Sequence, residues 1–248
     1  MHKNRSFQFI PIAAILLVSL ACQFSVNNPI SIVRGSGNVT SEERVIGEFA
    51  RVDLSGIGDL EIEFGDQPAL RIEAEDNLLP LIETVVEGDT LRIGFKDNTN
   101  PNPTEPIRYY LTAVSLEAIE ASGLGSIKAP GILSEQFVVN ISGGGDVEFS
   151  SLEADTLEVD ISGLGSLNIG GGFVAKLSVN ISGGGDLKTE SMEAQEASVD
   201  ISGLGTATIR VSDRLQADIS GGGSVKYYGN PTVEEQISGL GSVEKLGD

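Results

Sequence analysis

Histidine and cysteine are nearly missing from this chain: of 248 residues, one is His and one is Cys. They are His2 and Cys22, at the two ends of an N-terminal stretch that reads as a removable leader. The body that follows carries no imidazole and no second thiol. An internal disulfide is excluded. So are catalysis by a thiol or imidazole nucleophile and a His-ligated metal centre. Cations are scarce too, with 16 Lys and Arg against 36 Asp and Glu and a formal net charge of −20. Losing Lys3 and Arg5 with the leader takes that charge to −22. Such a surface repels nucleic acid and anionic lipid, so no nucleic-acid partner is expected. Long apolar runs are also lacking. Phe9–Leu20 is too short for a membrane span and suits the apolar core of an export signal.

Glycine, by contrast, is plentiful at 31 residues, and it is patterned. One phrase recurs seven times from Ala121 to Ser242: ASGLGS, ISGGGD, ISGLGS, ISGGGD, ISGLGT, ISGGGS and ISGLGS. Its serines are Ser122, Ser142, Ser162, Ser182, Ser202, Ser220 and Ser238, so the steps are 20, 20, 20, 20, 18 and 18 residues. A fixed period near 20 marks a solenoid. Before each serine the apolar residues alternate, as in Phe137, Val139, Ile141 and Leu157, Val159, Ile161. After the glycines the alternation resumes, as in Val147, Phe149 and Leu167, Ile169. Period two points one strand face inward. Each repeat therefore predicts a strand, a Gly-rich corner, a second strand and a looser return such as Ser150–Asp155. The expected fold is all-β, a single-stranded parallel β-helix with turns of about 20 residues stacked ~4.8 Å apart.

Two further positions follow a two-turn rhythm. Two residues after the serine stand Leu124, Gly144, Leu164, Gly184, Leu204, Gly222 and Leu240. A bulky residue in every second turn is expected to fill the inside of a tapered corner, and the glycines to supply unusual φ values there. The acids alternate as well: Asp146, Ser166, Asp186 and Thr206 at one position, Asn140, Asp160, Asn180 and Asp200 at another. In stacked turns this separates like charges that would otherwise face each other. The rival reading, a calcium-stabilised rod, is weakened because the period is 20 and not nine. The repeat serines have no His partner and are expected to bond corner backbone groups.

Residues 1–22 are read as a signal with a lipobox-like end: Cys22 follows Ser19-Leu20-Ala21 and is the candidate lipid attachment residue. Residues 23–43 are polar and read as a tether, and 44–247 as the head domain. Within it, Val45–Glu120 reads as irregular turns with insertions, including a short helical turn near Pro80 and a loop over Lys96–Pro106.

The phrases VDLSGIGD at Val52–Asp59, LRIEAEDNLL at Leu70–Leu79, TLRI at Thr90–Ile93, the serial SGxG motifs and YGNP at Tyr228–Pro231 resemble the auto-transporter adhesin head, or GIN, domain family. The resemblance covers about residues 43–246. It implies a right-handed β-helix, export behind a signal or lipid anchor, and no catalytic residue. The expected function is that of a non-catalytic envelope lipoprotein, adhesin-like or structural. Its expected partners are the membrane, through the N-terminal lipid, and a protein or glycan. No catalytic, metal or cofactor residue is nominated. The alternative is a polysaccharide lyase or hydrolase on the same scaffold, for which Arg210, Asp213 and Arg214 are the one local cluster. Tyr109-Tyr110 and Tyr227-Tyr228 could stack on sugars, although one of each pair should face the core.

Overall fold

The computed structural model describes residues 31–248, so the leader and Cys22 lie outside the described residues. The repeats form a β-solenoid of about six turns with little besides strand. Ile127–Ile141, Val147–Ile161 and Leu187–Ile201 are each one long bent strand, closed by a five-residue corner such as Ser142–Asp146. Successive turns pair in parallel and in register: Phe137 lies beside Leu157, then Leu177, Ala197 and Leu215. The expected loose return is in fact ladder. Ser151 and Leu152 pair with Gly131 and Ile132, and Leu152 is buried.

The inward columns are the ones that the alternation marks. Phe137, Val139, Ile141, Val147 and Phe149 are all buried, and the two phenylalanine rings meet edge to face at 5.6 Å. Aromatic pairs favour this geometry because ring edge and ring face carry opposite partial charge. The change of period from 20 to 18 is absorbed at one place. Between Leu187–Ile201 and Thr206–Ile219 the register slips at Thr189/Glu193 and again at Ala194/Glu196. Thr189 sits at this slip, fully buried, and among the described residues its hydroxyl has no partner.

The corner glycines serve a purpose other than the expected one. Gly143 and Gly163 do not have positive φ. A Cβ on Gly143 would instead stand 2.0 Å from the Gly123 carbonyl oxygen, and one on Gly163 would meet Gly143 at the same distance. Backbone stacks directly on backbone here, held by bonds such as Gly144 N–H to Gly123 O at 3.1 Å. Only glycine leaves room for that approach.

Residues 31–120 depart from the repeat by insertion. Arg51–Leu54 still pairs in parallel with Ala118–Ala121, and Asp59–Phe64 with Arg108–Ala113. An added strand, Ala69–Glu75, lies antiparallel to Arg108–Ala113, and Val39–Arg44 lies antiparallel to it in turn. A hairpin joins Ile82–Glu87 to Thr90–Phe95 after a 3-10 turn at Leu79–Leu81. The tether reading of residues 23–43 is therefore corrected over 31–43. Ser31–Arg34 pairs with Thr99–Asn102, a strand inside the expected 96–106 loop, and Val39–Arg44 belongs to the main sheet. Backbone bonding holds both segments, and Val33 of the first also packs against the core.

A buried carboxylate fastens these added segments. Glu75 accepts hydrogen bonds from Gly37 N–H at 2.6 Å, Thr104 N–H at 3.0 Å and Thr104 Oγ1 at 2.5 Å. Next to it Asp76 accepts from Ser36 Oγ and Asn38 Nδ2. The Thr104 hydroxyl, with backbone N–H groups behind it, holds the Glu75 pKa below the usual carboxylate value. Ser36 and then Asn38 do the same for Asp76.

Candidate functional site

The corner leucines do not fill the core. Leu124, Leu164, Leu204 and Leu240 are 72, 79, 77 and 97% exposed, and they form an apolar ridge outside the corner. Each of the first three leans over the glycine of the next turn; Leu124 Cδ2 lies 3.3 Å from where a Gly144 Cβ would be. The two-turn rhythm is thus a rhythm of the surface. The repeat serines beside the ridge are also exposed. Their amide groups carry the corner bonding, as in Ser142 N–H to Ala121 O at 3.1 Å.

Three of the four alternating acids, Asp146, Asp160 and Asp186, are each met by a donor from the next turn. Asp146 Oδ1 accepts from Ser166 N–H at 2.9 Å and Ser166 Oγ at 2.6 Å. Asp186 accepts from Thr206 N–H at 2.9 Å, and Asp160 from Asn180 Nδ2 at 2.9 Å. The rhythm fails at Asp200 and Asp218, which are register neighbours. Among the described residues no three His, Cys, Asp or Glu side chains gather as a metal site.

Nor are the candidate residues of the enzyme reading brought together. Arg210 bonds the Glu190 carbonyl and stacks over Tyr228, Asp213 accepts from Gln195, and Arg214 pairs with Glu234. Each is tied to a different neighbour.

A cleft lies on the inserted part, and of its lining residues the sequence marks only Tyr110. It encloses about 510 Å³ and is lined by Glu43, Arg44, Glu61, Arg71, Tyr110 and Thr112, among others. Its floor is one row across four strands. Glu43 pairs with Arg71, Arg71 with Tyr110, and Tyr110 with Glu61. Register partners share a sheet face with Cβ atoms ~4.5–5.5 Å apart, so these four outward side chains are neighbours. The next row adds Ala69, Thr112 and Glu63.

The Arg71 guanidinium lies 3.9 Å above the Tyr110 ring centre and is ion-paired with Glu73. The hydrogen bond that Arg71 donates to Glu73 raises the Arg71 pKa, so the guanidinium remains charged. Tyr110 Oη reaches the second Glu73 oxygen at 3.3 Å. Its neighbour Tyr109 points the other way: it is fully buried, and burial pushes its phenol pKa up. This split follows from strand alternation, as expected. Glu63 accepts from Thr112 Oγ1 at 3.0 Å. Glu43 and Glu61 are exposed, and among the described residues neither is engaged by a side-chain hydrogen bond or ion pair. The cleft thus offers free carboxylate acceptors on both sides of a fixed cation on an aromatic ring.

The family described as "Putative auto-transporter adhesin, head GIN domain" matches residues 48–231. No curated protein matches. Among solved structures, a putative adhesin from Bacteroides fragilis is 21% identical, with a TM-score of 0.80 over 86% of this chain and 100% of that one. A putative adhesin from Parabacteroides distasonis is 24% identical, with a TM-score of 0.71 over 87 and 100%. A putative lipid binding protein from the same species is 26% identical, with a TM-score of 0.69 over 87 and 100%. The first two likenesses show a shared fold.

Proposed function

From the premise that the chain belongs to the auto-transporter adhesin head GIN domain family, we propose that it is a non-catalytic, adhesin-like binding protein of the cell envelope. In this reading it is exported and held at the membrane by lipid on Cys22. The stacked ladder supplies a stiff acidic body, and the Glu43–Arg71–Tyr110–Glu61 row supplies the contact. That row is the observation that carries the reading. It is a concave polar surface built on paired strands, with unengaged carboxylates. Surface association accords with the adhesin character of the family. The lipid anchor is supported by the position of the single Cys, directly behind an apolar leader.

Two measurements test this. Beads coated with the full chain should be retained on bacterial or host-cell layers above albumin-coated beads, and equal retention would refute the adhesive role. In cells, Cys22→Ser should move the protein from the membrane fraction to the soluble one. Persistence in the membrane fraction would refute the lipid anchor.

A further inference from the structure

We infer that the cleft of Glu43, Glu61, Glu63, Arg71, Tyr110 and Thr112 is a binding site for neutral sugar units of a glycan, an assignment that rests on the binding role proposed above. Three observations lead to it. First, the site exists because a strand is inserted. Ala69–Glu75 enters antiparallel beside Arg108–Ala113, and only there do four strands bring an acid, a guanidinium, a phenol ring and a second acid into one row. In the described repeat turns the counterpart, Glu193–Arg210–Tyr228, ends at Gly247 and has no second acid. Second, the polar groups are of two kinds, with acceptors flanking a donor. A sugar hydroxyl both donates and accepts, so a ring of hydroxyls is matched by carboxylates that accept and a guanidinium that donates. Glu43 and Glu61 flank Arg71 and Tyr110 in that order, and the Thr112 hydroxyl lies beside them. Third, the volume of about 510 Å³ falls within the ~300–1,000 Å³ of small-ligand sites.

The charge pattern selects among hydroxyl-rich and charged ligands. Three carboxylates, Glu43, Glu61 and Glu63, line the cleft against two guanidiniums, Arg44 and Arg71, and the net negative charge opposes a uronate or phosphate. A lysine-rich peptide would meet Arg71 at the centre, where the bond to Glu73 keeps it charged and the Tyr110 ring keeps it in place. A neutral pyranose meets neither repulsion. Its hydroxyls bond the acids and the guanidinium, and its apolar C–H face lies against the exposed part of Tyr110.

The test is saturation-transfer NMR and calorimetry on the full chain. The probes are a panel of neutral hexose and N-acetylhexosamine trisaccharides, with trigalacturonate and trilysine as the anionic and cationic probes. A neutral trisaccharide should bind, and Glu61→Gln and Tyr110→Leu should each weaken it about tenfold, the scale of one lost bond to a charged group. Glu61 is exposed and unengaged, so its variant should fold normally. Leu204→Asp, distant on the ridge, should leave binding unchanged. The assignment is overturned if no neutral trisaccharide binds, if trilysine or trigalacturonate binds better, or if both cleft variants bind like wild type. Bead retention that survives both cleft variants would also overturn it, while leaving the adhesive role standing. If wild-type beads are not retained, the adhesive role falls, and the NMR titration still decides whether sugar binds.

Discussion

Two adjacent glycines in one corner should respond to the same substitution in opposite ways. In Gly143→Ala the new methyl would lie 2.0 Å from Gly123 O and 2.7 Å from Ser122 O, both backbone atoms of the turn below. An ordinary C···O contact is about 3.3 Å, so the turns must separate by roughly 1.3 Å at this point. The bonds Gly143 N–H to Ala121 O and Gly144 N–H to Gly123 O, both 3.1 Å, would then open. At about 1 kcal/mol net for each bond, with strain added, the loss is about 3 kcal/mol. For a domain of this size that lowers the melting temperature by roughly 6–12 °C. In Gly144→Ala the nearest atom is Leu124 Cδ2 at 3.3 Å, the end of an exposed side chain that can swing aside. Gly144 does not have positive φ, so alanine fits its backbone and restricts the unfolded chain, a gain of about 0.4–1 kcal/mol at most. Thermal unfolding of the two variants followed by circular dichroism is the assay. Equal losses, or a Gly143→Ala protein as stable as wild type, would refute the argument that backbone stacking demands glycine.

Leu164→Asp should change stability by no more than about 0.5 kcal/mol, because the side chain is 79% exposed. Leu157→Ala, fully buried in the same turn, should cost about 2–5 kcal/mol; reversal of that order in chemical denaturation would overturn the placement of the ridge. Acid should loosen the fastening at Glu75 and Asp76. Both folded-state pKa values are depressed, so their stabilisation is complete above the ordinary carboxylate pKa and is lost as pH falls through the lower folded values. Hydrogen exchange at Gly37 and Thr104 should therefore rise, after correction for the intrinsic pH effect, before exchange in the repeat turns does. Simultaneous loss of protection everywhere would count against a local fastening.

The inner half of the solenoid was readable from the chain because strand alternation has period two and inward side chains must be apolar. Phe137, Val139 and Ile141, with their equivalents at each repeat, are marked before any coordinates. The 20-residue step implies parallel stacking, and one buried tyrosine was expected in the pair Tyr109-Tyr110 for the same reason. Alternation also marks Arg71, Tyr110, Thr112, Glu61 and Glu63 as outward. It does not say which of them meet. Their meeting depends on an antiparallel strand that enters between Val39–Arg44 and Arg108–Ala113, and Glu43 and Tyr110 come together across 67 positions of chain. The corners were misread because a tight bend has no fixed alternation. Which way Leu164 points depends on how closely one turn's backbone sits on the next. The rhythm of residue types was therefore visible along the chain, but inside and outside at the corner, and the neighbours across the cleft, are set by contacts between turns, which have no counterpart in linear order.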